Sequence, residues 1–231
     1  MTKNPHKEKM IKLINSVGYQ HSTWGVFNDF VEMGAIAVAN TTDKSNFDER
    51  EKRYLAIIKT YQPEVQAIFP ELLAELTLAL EYSLTWENRL TDILGELFHA
   101  LELHNKYKGQ FFTGQSICGM LGGLIFPDFK DTLKTRNFIR FSEPACGSGA
   151  MILGFANAMR AQNLNYCQQL VVEASDVDLK CVRMCYIQLS LCGIPAVVIH
   201  RGTLTLETWS HWYTPMYMLN NKFKEVNICP N

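Results

Sequence analysis

The residue types able to do chemistry are concentrated in one stretch. Ser142-Glu143-Pro144-Ala145-Cys146-Gly147-Ser148-Gly149 follows the apolar Phe138-Ile139-Arg140-Phe141 and precedes an apolar helical pattern; Ser175-Asp176-Val177-Asp178 then closes a second apolar run. Gly147 and Gly149 permit a sharp turn and let the backbone approach a ligand with no Cβ in the way. A strand that enters such a turn and opens a helix presents bare backbone N–H groups, and a carboxylate at the tip of the next strand can accept from a pair of ribose hydroxyls. The spacing therefore predicts a nucleoside pocket, with Asp176 as the ribose ligand. A dinucleotide fingerprint would continue to a third glycine three residues after Gly149, where Ile152 stands, and this argues against a nicotinamide cofactor. Asp178 reads equally well as a cap on the helix that follows it.

Other candidates carry weaker signals. Cys181 and Cys185 are one helical turn apart, but no matching Cys or His pair follows, so no metal site is expected. His200 and His211 have no carboxylate or cysteine at catalytic spacing and read as structural or exposed. Trp209, Trp212 and Tyr213 form an aromatic cluster that suits either base stacking or a packing or oligomer surface. Adjacent Phe111 and Phe112 cannot both face one core from a loop; one of them either meets a ligand or interface or serves as a hydrophobic staple ahead of a helix predicted over 116–125.

The elements that must position the stretch follow from periodicity. From Phe138 onward, strand and helix patterns alternate: strands over 138–141, 171–175 and 196–200, helices over 149–162 and 179–192, and a further strand over 223–228. Strands separated by helices of that length imply βαβ crossovers and a doubly wound, mostly parallel sheet. Residues 1–106 read as helices throughout, with a cap at Ser22-Thr23, a charged helix over 47–61 ended by Pro63, and apolar faces over 72–82 and 90–103. The expected organisation is a helical N-terminal domain, residues 1–106, followed by an α/β domain, residues 107–231.

Composition limits the partners. Lys and Arg number 22 against 23 for Asp and Glu, giving a net charge of -1, so a grip on nucleic acid would need a local basic patch or a second protein. The seven cysteines are odd in number and sit in apolar patterns, as in a reducing compartment. No apolar run approaches membrane-spanning length and the polar, basic N-terminus has no apolar signal core, so a cytoplasmic protein without a membrane partner is expected.

Gly109-Gln110-Phe111-Phe112-Thr113, then Glu143 to Gly149, then Asp176 together resemble the ordered motifs of N6-adenine DNA methyltransferases of the type I restriction-modification subunit kind. The stretch from Gly202 to Glu207, with residues 209–215, also resembles shorter methylase-like proteins of bacterial mobile elements. The resemblance implies a helical N-terminal domain followed by a Rossmann-like, S-adenosylmethionine-dependent methyltransferase domain. It implies that Phe112 and Thr113 form the wall at the methionine end of the cofactor, that Glu143, Pro144, Ala145, Cys146, Gly147 and Gly149 cradle the methionine and sugar, and that Asp176 takes the ribose hydroxyls. DNA is the implied partner, reached through a specificity subunit or another protein, and homo-oligomerisation is left open.

Three departures bear on activity. Gly114 stands where the family has proline, and the family's acidic residue after the third strand is replaced around Arg201-Gly202. The catalytic Asn/Asp-Pro-Pro-Tyr/Phe is missing. Val226-Asn227-Ile228-Cys229-Pro230-Asn231 falls where it belongs, and Cys229 cannot supply the hydrogen bonds that hold a flipped-out adenine. No catalytic residue is assigned. Two readings stay open: a DNA methyltransferase-family protein that binds S-adenosylmethionine but is weak or inactive alone, and a catalytically empty cofactor-binding or regulatory protein of a mobile element.

Overall fold

The computed structural model describes residues 4–17, 21–101 and 129–224. The helix predicted over 116–125 and the end of the strand predicted over 223–228 lie outside the described residues.

The first part is helical: α1 (Pro5–Val17), α2 (Thr23–Thr42), α3 (Phe47–Ile58), α4 (Pro63–Gln66), α5 (Ile68–Trp86) and α6 (Ile93–Ala100). Ser22 caps α2 by accepting from the Gly25 amide. Pro63 opens α4 instead of merely ending α3, because its fixed φ suits a first helical position and its missing N–H costs nothing there. The apolar run predicted to start a helix at Leu90 begins instead at Ile93, since Asp92 turns its side chain onto the Gly95 amide and caps the helix.

After α7 (Phe129–Thr135), strand and helix alternate: β1 (Ile139–Glu143), α8 (Ala150–Ala161), α9 (Tyr166–Gln169), β2 (Leu170–Asp176), α10 (Leu179–Leu191), β3 (Ala196–Arg201) and β4 (Thr208–Tyr213), then α11 (Pro215–Leu219) and α12 (Asn221–Lys224). The four strands lie in the order β1-β2-β3-β4, with β1, β2 and β3 parallel and β4 antiparallel to β3. The aromatic cluster Trp209-Trp212-Tyr213 belongs to the sheet. It forms β4, and strand alternation sends Trp212 against Tyr186 of α10 while Tyr213 goes to the opposite face, beside Tyr217.

Both faces of the sheet are covered, which is why β2 reads as a nearly continuous apolar run. Val172, Ala174, Ala196 and Val198 join one large buried cluster, whereas Val171, Val197 and Ile199 pack with Tyr217 and Phe223 in a second. The large cluster also holds Met10, Phe27, Phe30, Leu76 and Phe98 from the helical part, so helices and sheet share an interior. Gly34 lies where α2 packs on α10: a Cβ there would sit 3.3 Å from Ile187 Cδ1.

Candidate functional site

The site is assembled at the ends of β1, β2 and β3. At the end of β1, Glu143 Oε1 accepts from the Ala145 amide at 3.2 Å, which bends the chain out of the strand. The Cys146 amide donates to Ser175 O at 2.9 Å and straps the turn to β2. Gly147 (φ 52°) and Gly149 (φ 102°) take left-handed conformations open to glycine at little cost, and Gly149 starts α8 by accepting from the Leu153 amide. Pro144 and Ala145 lie exposed on the crest of the turn.

Asp176 faces this turn. Its Oδ2 accepts from the Gly147 amide at 2.9 Å and its Oδ1 from the Asp178 amide at 2.9 Å. Asp178 caps α10 through the Lys180 amide at 2.8 Å, which decides between its two sequence readings and leaves Asp176 out of the helix cap. An ionised carboxylate offers about four acceptor positions, so the two backbone donors orient Asp176 and leave it capacity for a pair of hydroxyls. Burial pushes the Glu143 carboxyl above its ordinary range and the Asp176 charge adds to the effect, against the pull of the Ala145 N–H.

Glu143, Pro144, Ala145, Gly147, Gly149 and Asp176 therefore come together. Cys146 joins them only through its backbone: its side chain is buried, and its thiol is pushed well up by a hydrogen bond with Cys185 and by burial. Phe112 and Thr113 lie outside the described residues, as does the 226–231 stretch. Thr203, in the loop after β3, donates to Pro144 O at 2.6 Å and ties that loop to the turn. Arg201 turns along the sheet to Glu173 (3.2 Å) and Ser175 Oγ (3.3 Å). His200 lies against the Trp209 ring with Nε2 3.2 Å from Val177 O, a structural setting.

Sequence reasoning missed a set of residues behind the turn. Ser148 is buried with its hydroxyl donating to Asp92 Oδ2; Gln188 Nε2 reaches both Asp92 Oδ1 and Ser148 O at 2.8 Å, and Gln188 Oε1 accepts from the Leu94 amide at 3.0 Å. A glutamine in the middle of an apolar helix, and an aspartate just ahead of another, were the signals available. Burial pushes Asp92 upward, opposed by the hydrogen bonds from Ser148 and Gln188.

The profile of the N-6 DNA methylases matches residues 89–225. The chain belongs to this family. The matched stretch of the N-6 DNA methylase opens just ahead of Asp92, so α6 lies inside it and α1 to α5 precede it. No curated protein matches the chain. Among solved structures, the chain is similar to a candidate class I S-adenosylmethionine-dependent methyltransferase of Listeria monocytogenes, with 10% identity over 96% of this chain and 70% of that one, at a TM-score of 0.45. It is also similar to the type I restriction-modification system methyltransferase subunit of Streptococcus thermophilus, with 13% identity, 83% of this chain and 56% of that one covered, and a TM-score of 0.39. In the N-6 DNA methylase no described helix is long and apolar enough to cross a membrane.

Proposed function

We propose that this N-6 DNA methylase binds S-adenosylmethionine at the tips of β1 and β2. Asp176 takes the ribose hydroxyls, the turn of residues 143–149 surrounds the methionine and sugar, and Phe112 and Thr113 complete the wall at the methionine end. The observation that carries the reading is the 2.9 Å hydrogen bond from Gly147 to Asp176, which orients a carboxylate with open acceptor positions beside the turn; the turn's own amides are not bare as expected, since those of Ala145, Cys146, Gly147 and Gly149 are taken by Glu143, Ser175, Asp176 and Cys146. The two acidic side chains also suit a ligand that carries a sulfonium charge. When bound, S-adenosylmethionine supplies an electrophilic methyl group; the chain's own residues bind and orient it.

The reaction class served is adenine-N6 methylation of DNA in restriction-modification, carried out in the cytoplasm. DNA is engaged through a specificity subunit or another partner, in keeping with a net charge of -1. Cys229-Pro230-Asn231 in place of the catalytic loop favours a second reading, in which the protein binds the cofactor and regulates or scaffolds without methylating. Titration calorimetry with S-adenosylmethionine and its demethylated product tests the first proposal, and absence of heat with either ligand rejects it. Transfer of tritiated methyl groups to unmethylated DNA separates the two readings: incorporation above background rejects the second.

A further inference from the structure

We propose that Asp92 is a positioning residue for the ligand-binding turn: from the cap of α6 its carboxylate holds Ser148 and Gln188 in a closed ring that fixes the path of the chain between Gly147 and Gly149. The inference rests on the reading of that turn as the S-adenosylmethionine site.

The ring has one member from each of three elements. Ser148 Oγ donates to Asp92 Oδ2, Gln188 Nε2 donates to Asp92 Oδ1 and to Ser148 O, and the Gly95 amide donates to Asp92 Oδ1 at 2.8 Å. Gln188 is completed by the Leu94 amide. Asp92, Ser148 and Gln188 are buried. Space for the ring is kept by Gly95, since a Cβ there would collide with the Asp92 carboxylate and lie 2.8 Å from Ser148 Oγ.

Two features assign the ring to the turn and not simply to holding α6 in place. First, the entry to α6 is docked without it: the main chain of Leu90 is paired in both directions with the Asn157 amide of α8, at 2.8 Å each way, and Leu94, Leu97 and Phe98 are buried. A buried carboxylate is costly unless fully hydrogen-bonded, and apolar packing would join α6 to α10 more simply. Second, Ser148 stands between two glycines in left-handed conformations, which are the residues least able to hold a backbone path by themselves. Asp176 grips the front of the turn through the Gly147 amide, and Asp92 grips the back through the Ser148 hydroxyl. Without the rear contact, the chain between Gly147 and Gly149, and with it the side of the turn that meets Asp176, loses its hold from behind.

The test uses the full chain and two variants. Asp92→Ser keeps a residue that caps helices well but is too short to complete the ring, and Ser148→Ala removes one hydroxyl and carries the test if Asp92→Ser does not fold. Leu76→Ala, in the α5 core, serves as a variant destabilised elsewhere. The readouts are amide hydrogen exchange over residues 145–150 in ligand-free protein, affinity for S-adenosylhomocysteine by calorimetry, and Tm. The expected result is exchange over 145–150 faster by about tenfold in both ring variants, and affinity weaker by roughly 10- to 100-fold, the loss of one charge-assisted hydrogen bond. Leu76→Ala lowers Tm by as much or more and leaves both readouts at the wild-type value. If affinity and exchange follow Tm in all three variants, or if Ser148→Ala leaves both unchanged, the inference is overturned. A wild-type protein that binds neither ligand, with ring variants that still loosen residues 145–150, rejects the cofactor reading and keeps the positioning role.

Discussion

Arg183 of α10 donates to Glu32 of α2 at 2.9 Å, and the same carboxylate takes two hydrogen bonds from Arg53 of α3, at 2.8 and 3.0 Å. Two guanidinium groups on one largely buried acid tie the helical part to a crossover helix of the sheet.

Burial pushes Glu32 upward, but the Arg53 hydrogen bond and the charges of Arg183 and Arg53 outweigh it and hold the carboxyl below its ordinary range. A folded-state pKa below the unfolded one stabilises fully above the unfolded value and loses that contribution as pH falls through the folded one. Glu32→Gln is expected to cost about 1–3 kcal/mol at pH 7, mostly by leaving Arg183 without its charge partner, because Arg53 is half exposed. Urea midpoints at pH 7 and pH 4 check this: the variant should lose less than the wild type between them, and parallel losses would refute it.

Asp176→Asn is expected to weaken S-adenosylhomocysteine binding by roughly 10-fold, and Asp176→Ala by roughly 100-fold, since alanine removes both the ribose acceptor and the partner of Gly147. Calorimetry decides, and equal affinities in all three proteins would remove Asp176 from the site.

Gly149→Ala places a side chain at φ 102° with its Cβ 3.2 Å from Cys185 Sγ. The strain is expected to cost about 1–3 kcal/mol, read as a lower Tm, and the start of α8 would shift with it. An unchanged Tm would mean that the turn can relax without penalty.

Cys146, Cys181 and Cys185 are buried, and burial also pushes the Cys192 thiol up to about 12. Little thiolate forms at Cys146, Cys181 and Cys192 near neutral pH, so site-resolved alkylation of native protein at pH 8 should leave Cys146 and Cys181 unlabelled until urea is added. Rapid native labelling of Cys146 would show that the turn opens.

Much of the strand and helix pattern after Phe138 was legible because apolar runs and glycines mark it locally: β1 was recognised near 138–141, and α10 near 179–192. The turn and Asp176 were legible for the same reason. What sequence reasoning missed depends on contacts between distant residues. Trp209 to Tyr213 read only as an aromatic cluster, because strand pairing with 197–201 is what makes it β4. Asp92 gave a faint cap signal, but its reach to Ser148 spans 56 positions and no local pattern encodes it.

A buried cluster that runs from Met10 to Trp212 means that the helices ahead of the sheet are half of its interior. A fragment that began after α6 would uncover the face of α10 that packs on α2, with Ile187 on it, and is expected to aggregate. The methylase fold here cannot be grafted as a cassette. Recombination that exchanged its front end would have to replace the matching surface of α10 in the same event.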